Sequence, residues 1–246
     1  MTVFVAEKSI EGLCSALFLA YTEKIFPDAV ISDYKYCGSL SDRLIYAACD
    51  RPQQASVYRA ILNYGGGETI GDIKACLTSC EESALKVAFD YARLVLDKKR
   101  AVFSDLSDKR VSDFNYTVGK VYGEKHRIGG FLRFKETKNG VMYAAYSPDN
   151  DITELIMPHF LSRFSATPFV IHDVKRNKVG ISDGRSFRIF KAGDAATLSF
   201  SPAEKEWEDL WKRYYKSVNI KERKNKRQQD RCLPSRYRKF MPETYE

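Results

Sequence analysis

No stretch of this sequence is long and apolar enough to cross a bilayer. The longest largely apolar run, Leu13 to Tyr21, covers nine residues, where a spanning helix needs roughly twenty. The opening Met1-Thr2-Val3-Phe4 places no basic region ahead of an apolar run. No secretory signal is therefore read, and a cytoplasmic location is expected. Histidine is scarce: His126, His159 and His172 are the only three, and none forms an HxxxH or HxH pair. GxSxG, HExxH and Walker sequences are also missing, which removes the common hydrolase, zinc-protease and P-loop readings. The six cysteines contain no Cys-x3-Cys-x2-Cys cluster, so the iron–sulfur centre of a radical enzyme is excluded by that motif. No metal and no cofactor are expected. In a reducing compartment the cysteines read as thiols, with Cys14, Cys37 and Cys49 as small core residues. Cys76 and Cys80 would share one helix face in a structural role.

Acids are nearly missing from one region. Between Lys212 and Lys239 stand twelve Lys or Arg against Glu222 and Asp230, a net of +10 in a chain whose total is +8. Everything outside that stretch therefore sums to about −2. Basicity concentrated in this way and interleaved with tyrosine is what a phosphate-backbone binder shows, although a solvated tail has the same composition.

The apolar patterning predicts an α+β fold. Thr2–Ala6 reads as a strand, Ser9 caps a helix to about Ile25, and Val30–Tyr36 reads as a second strand, giving a β-α-β opening. Ser41–Tyr64 reads as one helix or two, followed by a helix–helix turn at Gly65-Gly66-Gly67. Helices are also predicted over Glu81–Lys98 and Ser107–Lys125. An antiparallel ββαβββ sheet is then expected. Its first two strands, Gly130–Glu136 and Val141–Tyr146, turn at Asn139-Gly140. A helix capped by Asp151 follows to about Phe164, then strands at Phe169–Val174, Val179–Ser182 and Phe187–Phe190. Pro202 opens a last helix through Tyr215, leading into the basic helical segment. The expected division is 1–105, mainly helical, and 106–246, α+β with the basic tail, the two being compatible with one continuous domain.

Candidate nucleic-acid contacts follow from charge and position. Arg127, Arg133 and Lys135 stand at the hairpin, and Lys212, Arg213 and Lys216 at the end of the last helix. Arg223, Lys224 and Arg227 follow, then Arg236, Tyr237, Arg238 and Lys239. Tyr214, Tyr215 and Tyr237 could stack on unpaired bases, while Trp207, Trp211 and Tyr214 serve equally well to anchor the tail. Phe131/Phe134 and Tyr143/Tyr146 could stack bases if exposed, and core packing is the favoured reading. No catalytic set is evident. His126, Arg133 and Glu136 gather around one hairpin and are the first residues to test if one exists.

Several segments together resemble a known bacterial domain of unknown function. They include His126-Arg127, Gly130-Phe131-Leu132-Arg133-Phe134-Lys135-Glu136 and Pro148-Asp149-Asn150-Asp151-Ile152. The closing Leu233-Pro234-Ser235-Arg236-Tyr237-Arg238-Lys239 and the opening Ser9-Ile10-Glu11-Gly12-Leu13 fit as well. The likeness spans essentially the whole chain. Two departures are Cys232-Leu233-Pro234, where the family usually has Met-Pro, and an opening strand without the aromatic-Asp-Gly many members carry. Members are described as proteins of DNA metabolism or DNA repair. They occur beside a radical S-adenosylmethionine protein, and related domains precede uracil-DNA-glycosylase-like domains in longer chains. The resemblance implies a DNA-binding accessory role with a radical SAM partner, and it supplies no catalytic residue. The alternatives are a nuclease- or glycosylase-like enzyme with an unrecognised site, or a scaffold whose basic segment docks on an acidic protein.

Overall fold

A computed structural model describes residues 1–32, 38–39, 41–48, 50–193, 199–223 and 225–244. The chain forms two compact units, Met1–Gly123 and Glu124–Glu246. The division expected at 105/106 falls in the loop ahead of the helix that begins at Lys109.

The first unit opens with β1 (Thr2–Val5), α1 (Ile10–Glu23), β2 (Ala29–Ile31) and β3 (Arg43–Tyr46). These strands make a parallel sheet in the order β2-β1-β3. Ser9 caps α1 as expected, its Oγ accepting from the Gly12 N–H at 3.0 Å. A Cβ at Gly12 would stand 2.1 Å from the Glu7 carbonyl oxygen, so only glycine fits the turn into this helix. The part of the second strand expected beyond Ser32 falls outside the described residues.

β3 corrects the helix expected from Ser41. Arg43-Leu44-Ile45-Tyr46 satisfies its backbone against β1, with flanking bonds from Arg43 N–H to the Met1 carbonyl and from Ala47 N–H to the Val5 carbonyl. Helix begins only at α2 (Arg51–Leu77), where Asp50 and Gln53 exchange side chain-to-backbone bonds in a capping box. The helix–helix turn expected at the glycine triplet is present within this span. Gly66 alone takes φ 82° and ψ 175°, a conformation that favours glycine, and the helix resumes beyond this kink. α3 (Ala84–Lys98) and the first part of α4 (Lys109–Phe131) complete the unit. Its core holds Phe4, Leu13, Leu17, Ile61, Ile73 and Phe89, and Tyr91 stacks on Phe114 at 3.7 Å.

The second unit contains the last turns of α4, then β4 (Lys135–Glu136), β5 (Met142–Tyr146), α5 (Thr153–Arg163), β6 (Phe169–Asp173), β7 (Lys178–Ser182) and β8 (Phe187–Lys191). The sheet order is β4-β5-β6-β7-β8. The expected hairpin at Asn139-Gly140 forms, with Gly140 at φ 75°. Two corrections apply. α4 runs six residues beyond Lys125 because Ile128 is a buried position, leaving β4 only two residues long. β5 and β6 are parallel, not antiparallel, so the sheet is mixed. The chain leaves β5, crosses through α5 and returns beside β5, and a strand that returns by a helical crossover runs in the original direction. The crossover buries Ile156, Met157 and Phe160 against the face carrying Ala144, Phe169 and Ile171. Asp151 does not cap α5, since Ile152 is the flanking residue and Asp151 pairs with Lys178 at 2.7 Å.

The chain closes with α6 (Glu204–Ser217), α7 (Lys226–Cys232) and α8 (Ser235–Arg238), with single turns at Lys221–Arg223 and Pro242–Thr244. No helix among the described residues is long and apolar enough to cross a membrane.

Candidate nucleic-acid interface

Tyr237 organises the closing segment. Its side chain is 2% exposed, and its hydroxyl donates to Oε1 of Glu124, a carboxylate 1% exposed on α4. Three further donors converge on Glu124: the Asp149 N–H at 2.7 Å, the Asn150 N–H at 2.8 Å and Asn150 Nδ2 at 2.6 Å. A carboxylate removed from water needs such a set, because each oxygen lacking a donor would carry its full desolvation cost. Burial, then the bond to Glu124 and its charge, push the Tyr237 phenol well above its ordinary range, so it stays protonated and donates. Arg236 adds a second tie, 2.5 Å from Asp149 Oδ2, with its guanidinium 4.7 Å from the Tyr237 ring. Arg176 holds the same loop from β7's side, donating to the Pro148 carbonyl at 3.2 Å and to the buried Asp173 at 2.8 Å.

The residues expected to contact nucleic acid divide into two groups. Arg133 pairs with Glu243 at 2.6 Å, Lys135 with Glu208 at 2.7 Å, and Arg238 with Asp230. Together with Arg236 and Tyr237, these side chains are engaged inside the unit. Lys239 is exposed, its ammonium 4.8 Å from the Phe240 ring. Arg127, Arg213, Lys216, Arg223 and Arg227 are exposed, and Lys212 is half-buried. Lys224 lies outside the described residues. Sequence reasoning passed over Lys226 and Arg231, which are exposed on α7 beside Arg227. Among the described residues, no acid lies in salt-bridge range of Arg223, Lys226, Arg227 or Arg231.

His126, Arg133 and Glu136 make no hydrogen bond to one another among the described residues. His126 lies within α4 rather than at its end, exposed to solvent. His172 on β6 receives or donates a bond at Nδ1 with the Tyr143 hydroxyl, 2.8 Å away. Among the described residues, no three His, Cys, Asp or Glu side chains group closely enough to hold a metal ion. Phe131 lies 6.2 Å from Tyr237, Phe134 lies 5.1 Å from Phe160, and Tyr146 bonds to Thr153, all within the packing of the unit.

Residues 82–243 match the family described as Domain of unknown function (DUF4130). The chain belongs to this family. The matched span includes Glu124, Asn150 and Tyr237, and so covers the whole clamp that holds the DUF4130 closing segment. Curated proteins yield no match. Among solved structures, the chain is similar to a pGpG-specific phosphodiesterase, PggH, from Vibrio cholerae, at 10% identity and a TM-score of 0.33. That likeness covers 89% of this chain and 100% of the other. A Methanococcus jannaschii protein described as a family II inorganic pyrophosphatase aligns at 12% identity and a TM-score of 0.16, covering 88% of this chain and 100% of that one. At such scores neither likeness carries an argument about activity.

Proposed function

We propose that this DUF4130 protein binds DNA through the basic closing segment of its second unit, as an accessory in DNA metabolism or repair. The observation that carries the reading is the run Arg223, Lys226, Arg227 and Arg231: exposed, without acidic partners among the described residues, and attached to the unit through the Tyr237–Glu124 clamp. A solvated tail would need no such attachment. Held cations instead present a fixed array to a phosphate backbone, and neutralising phosphates releases counterions. The chemistry of a lesion would then fall to a separate enzyme, and the radical S-adenosylmethionine protein suggested by the sequence resemblance is the proposed partner.

The test is a fluorescence-anisotropy titration with labelled DNA at several salt concentrations. Four phosphate contacts give a log–log slope of about −3.6 and a loss of roughly two orders of magnitude in affinity between about 50 and 200 mM salt. Replacing Arg227 and Arg231 together by Ala lowers that slope by about 1.8. Charge substitutions are the right perturbation because cutting the chain at 217 would also remove the buried Tyr237. Absence of binding at low salt would overturn the reading and leave an acidic protein as the partner of the segment.

A further inference from the structure

The chain has two tryptophans, and both stand on α6, one turn apart, lining a cleft of about 370 Å³ in the second unit. Trp207 is 61% exposed and Trp211 38% exposed. Two large rings left open on one helix face form a patch, and patches of this kind mark binding surfaces more often than scattered apolar side chains do. Phe134 and Phe164, their centroids 4.7 Å apart, supply further aromatic lining. The guanidinium of Arg133 lies 5.2 Å from the centre of the Trp211 ring, and Glu243 fixes that guanidinium at 2.6 Å, so the ring has a braced neighbour on one side.

Charge around the cleft narrows the occupant. The two acids that line it are already engaged: Glu208 holds Lys135, and Glu204 accepts the Glu136 N–H at 2.8 Å. Arg163, at the end of α5, is exposed at the same cleft with no acidic partner among the described residues. α6 continues from Trp211 directly into Lys212, Arg213 and Lys216. The site therefore combines flat apolar rings with an unengaged guanidinium and a cationic helix end. An apolar peptide side chain would use the rings and leave Arg163 idle, and an isolated anion would use Arg163 and leave the rings wet. A nucleotide uses both.

We propose that this cleft receives an unpaired base of single-stranded DNA, stacked on Trp207 and Trp211 with its phosphate toward Arg163. The proposal rests on the DNA-binding reading above and adds strandedness to it. Bases in an intact duplex keep their faces on one another, so only an unpaired or extruded base can offer a face to the rings.

Because both tryptophans line the cleft, their intrinsic emission reports its occupation while the anisotropy of a labelled strand reports binding independently. The full chain is titrated with a short oligothymidylate, with an abasic strand of equal length, and with duplex. The expected result is quenching by the oligothymidylate and little by the abasic strand. Trp211→Ala should raise the Kd for oligothymidylate by roughly 5–150-fold and leave duplex binding in place, with Trp211→Phe recovering most of the loss. Trp207→Ala, at the more exposed ring, gives a second variant with less packing to disturb. Oligothymidylate binding without quenching, unaffected by either alanine, would overturn the base site and leave DNA binding by the basic segment intact. Quenching matched by the abasic strand would overturn it equally. No anisotropy change with any strand would overturn both readings.

Discussion

Replacing Tyr237 by Phe tests the clamp on which the closing segment depends. The substitution keeps the ring, its burial and its neighbours Phe131 and Arg236, and removes only the hydroxyl that donates to Glu124. Glu124 would then keep three of its four donors while remaining buried. A hydrogen bond to a charged group contributes about 1.5–3 kcal/mol, which corresponds to a fall in melting temperature of roughly 5–15 °C for the second unit. Tyr237→Ala should cost more, about 3–5 kcal/mol, since it also empties a buried aromatic site. Thermal and urea unfolding followed by circular dichroism give the ordering parent, Phe variant, Ala variant. In the Phe variant the salt slope of DNA binding should persist at temperatures where the unit is folded, because no cation has been removed. A Phe variant within about 0.5 kcal/mol of the parent would refute the clamp, since a buried carboxylate cannot lose a donor without cost.

Gly12→Ala should destabilise the first unit by about 3 kcal/mol or more, because the added methyl meets the Glu7 backbone rather than a movable side chain; urea unfolding measures it. Burial and the hydrogen bond to Asp72 push the Tyr122 phenol up to about 12. The folded value lies above the unfolded one, near 10, so this contribution to stability is complete below about pH 10 and is lost as the pH rises through about 12. Unfolding of the parent should therefore weaken across that window more steeply than unfolding of Tyr122→Phe. Burial pushes the Cys76 thiol up to about 12, and Cys14 is also buried, whereas Cys80 and Cys232 are exposed. Brief alkylation of the native chain followed by peptide mass mapping should mark Cys80 and Cys232 well before Cys14 and Cys76. Rapid labelling of Cys76 would show that α2 and α3 separate in solution.

Local rules located some helix boundaries, such as the cap at Ser9 and the end at Lys98, and missed others, such as the start expected from Ser41. Ser9 is visible as a cap because a short oxygen-bearing side chain ahead of an apolar stripe has few other uses. β3 was hidden because Leu44 and Ala48 happen to stand at helical spacing with Val57 and Ile61, although the first two belong to a strand and loop and the others to α2. α4 outlasted its expected end because Ile128 and Leu132 gain burial that outweighs the helix-weakening Gly129 and Gly130. The parallel pairing of β5 and β6 was implicit in the helix between them, but hairpins on either side suggested an antiparallel sheet throughout. At the candidate site the charge was legible and the geometry was not. A tyrosine inside a basic run looks available for stacking, and nothing local shows that a glutamate 113 positions earlier takes its hydroxyl. The tryptophans, read from the sequence as anchors of the tail, emerge as exposed rings because burial is decided by what α6 packs against.

The clamp also fixes an order of events during synthesis. Glu124 and Tyr237 are separated by 113 positions, and Arg133 and Glu243 by 110. Contacts this distant in sequence form late, after the loop-closure cost has been met. A growing chain thus carries Glu124 with one donor missing until Tyr237 has left the ribosome, and the same closing stretch delivers the cations of α7. The basic residues of α7 thus emerge shortly before the tyrosine that closes the fold, and a chain that stops short of Tyr237 forfeits the lock on its second unit along with the anchoring of its basic surface.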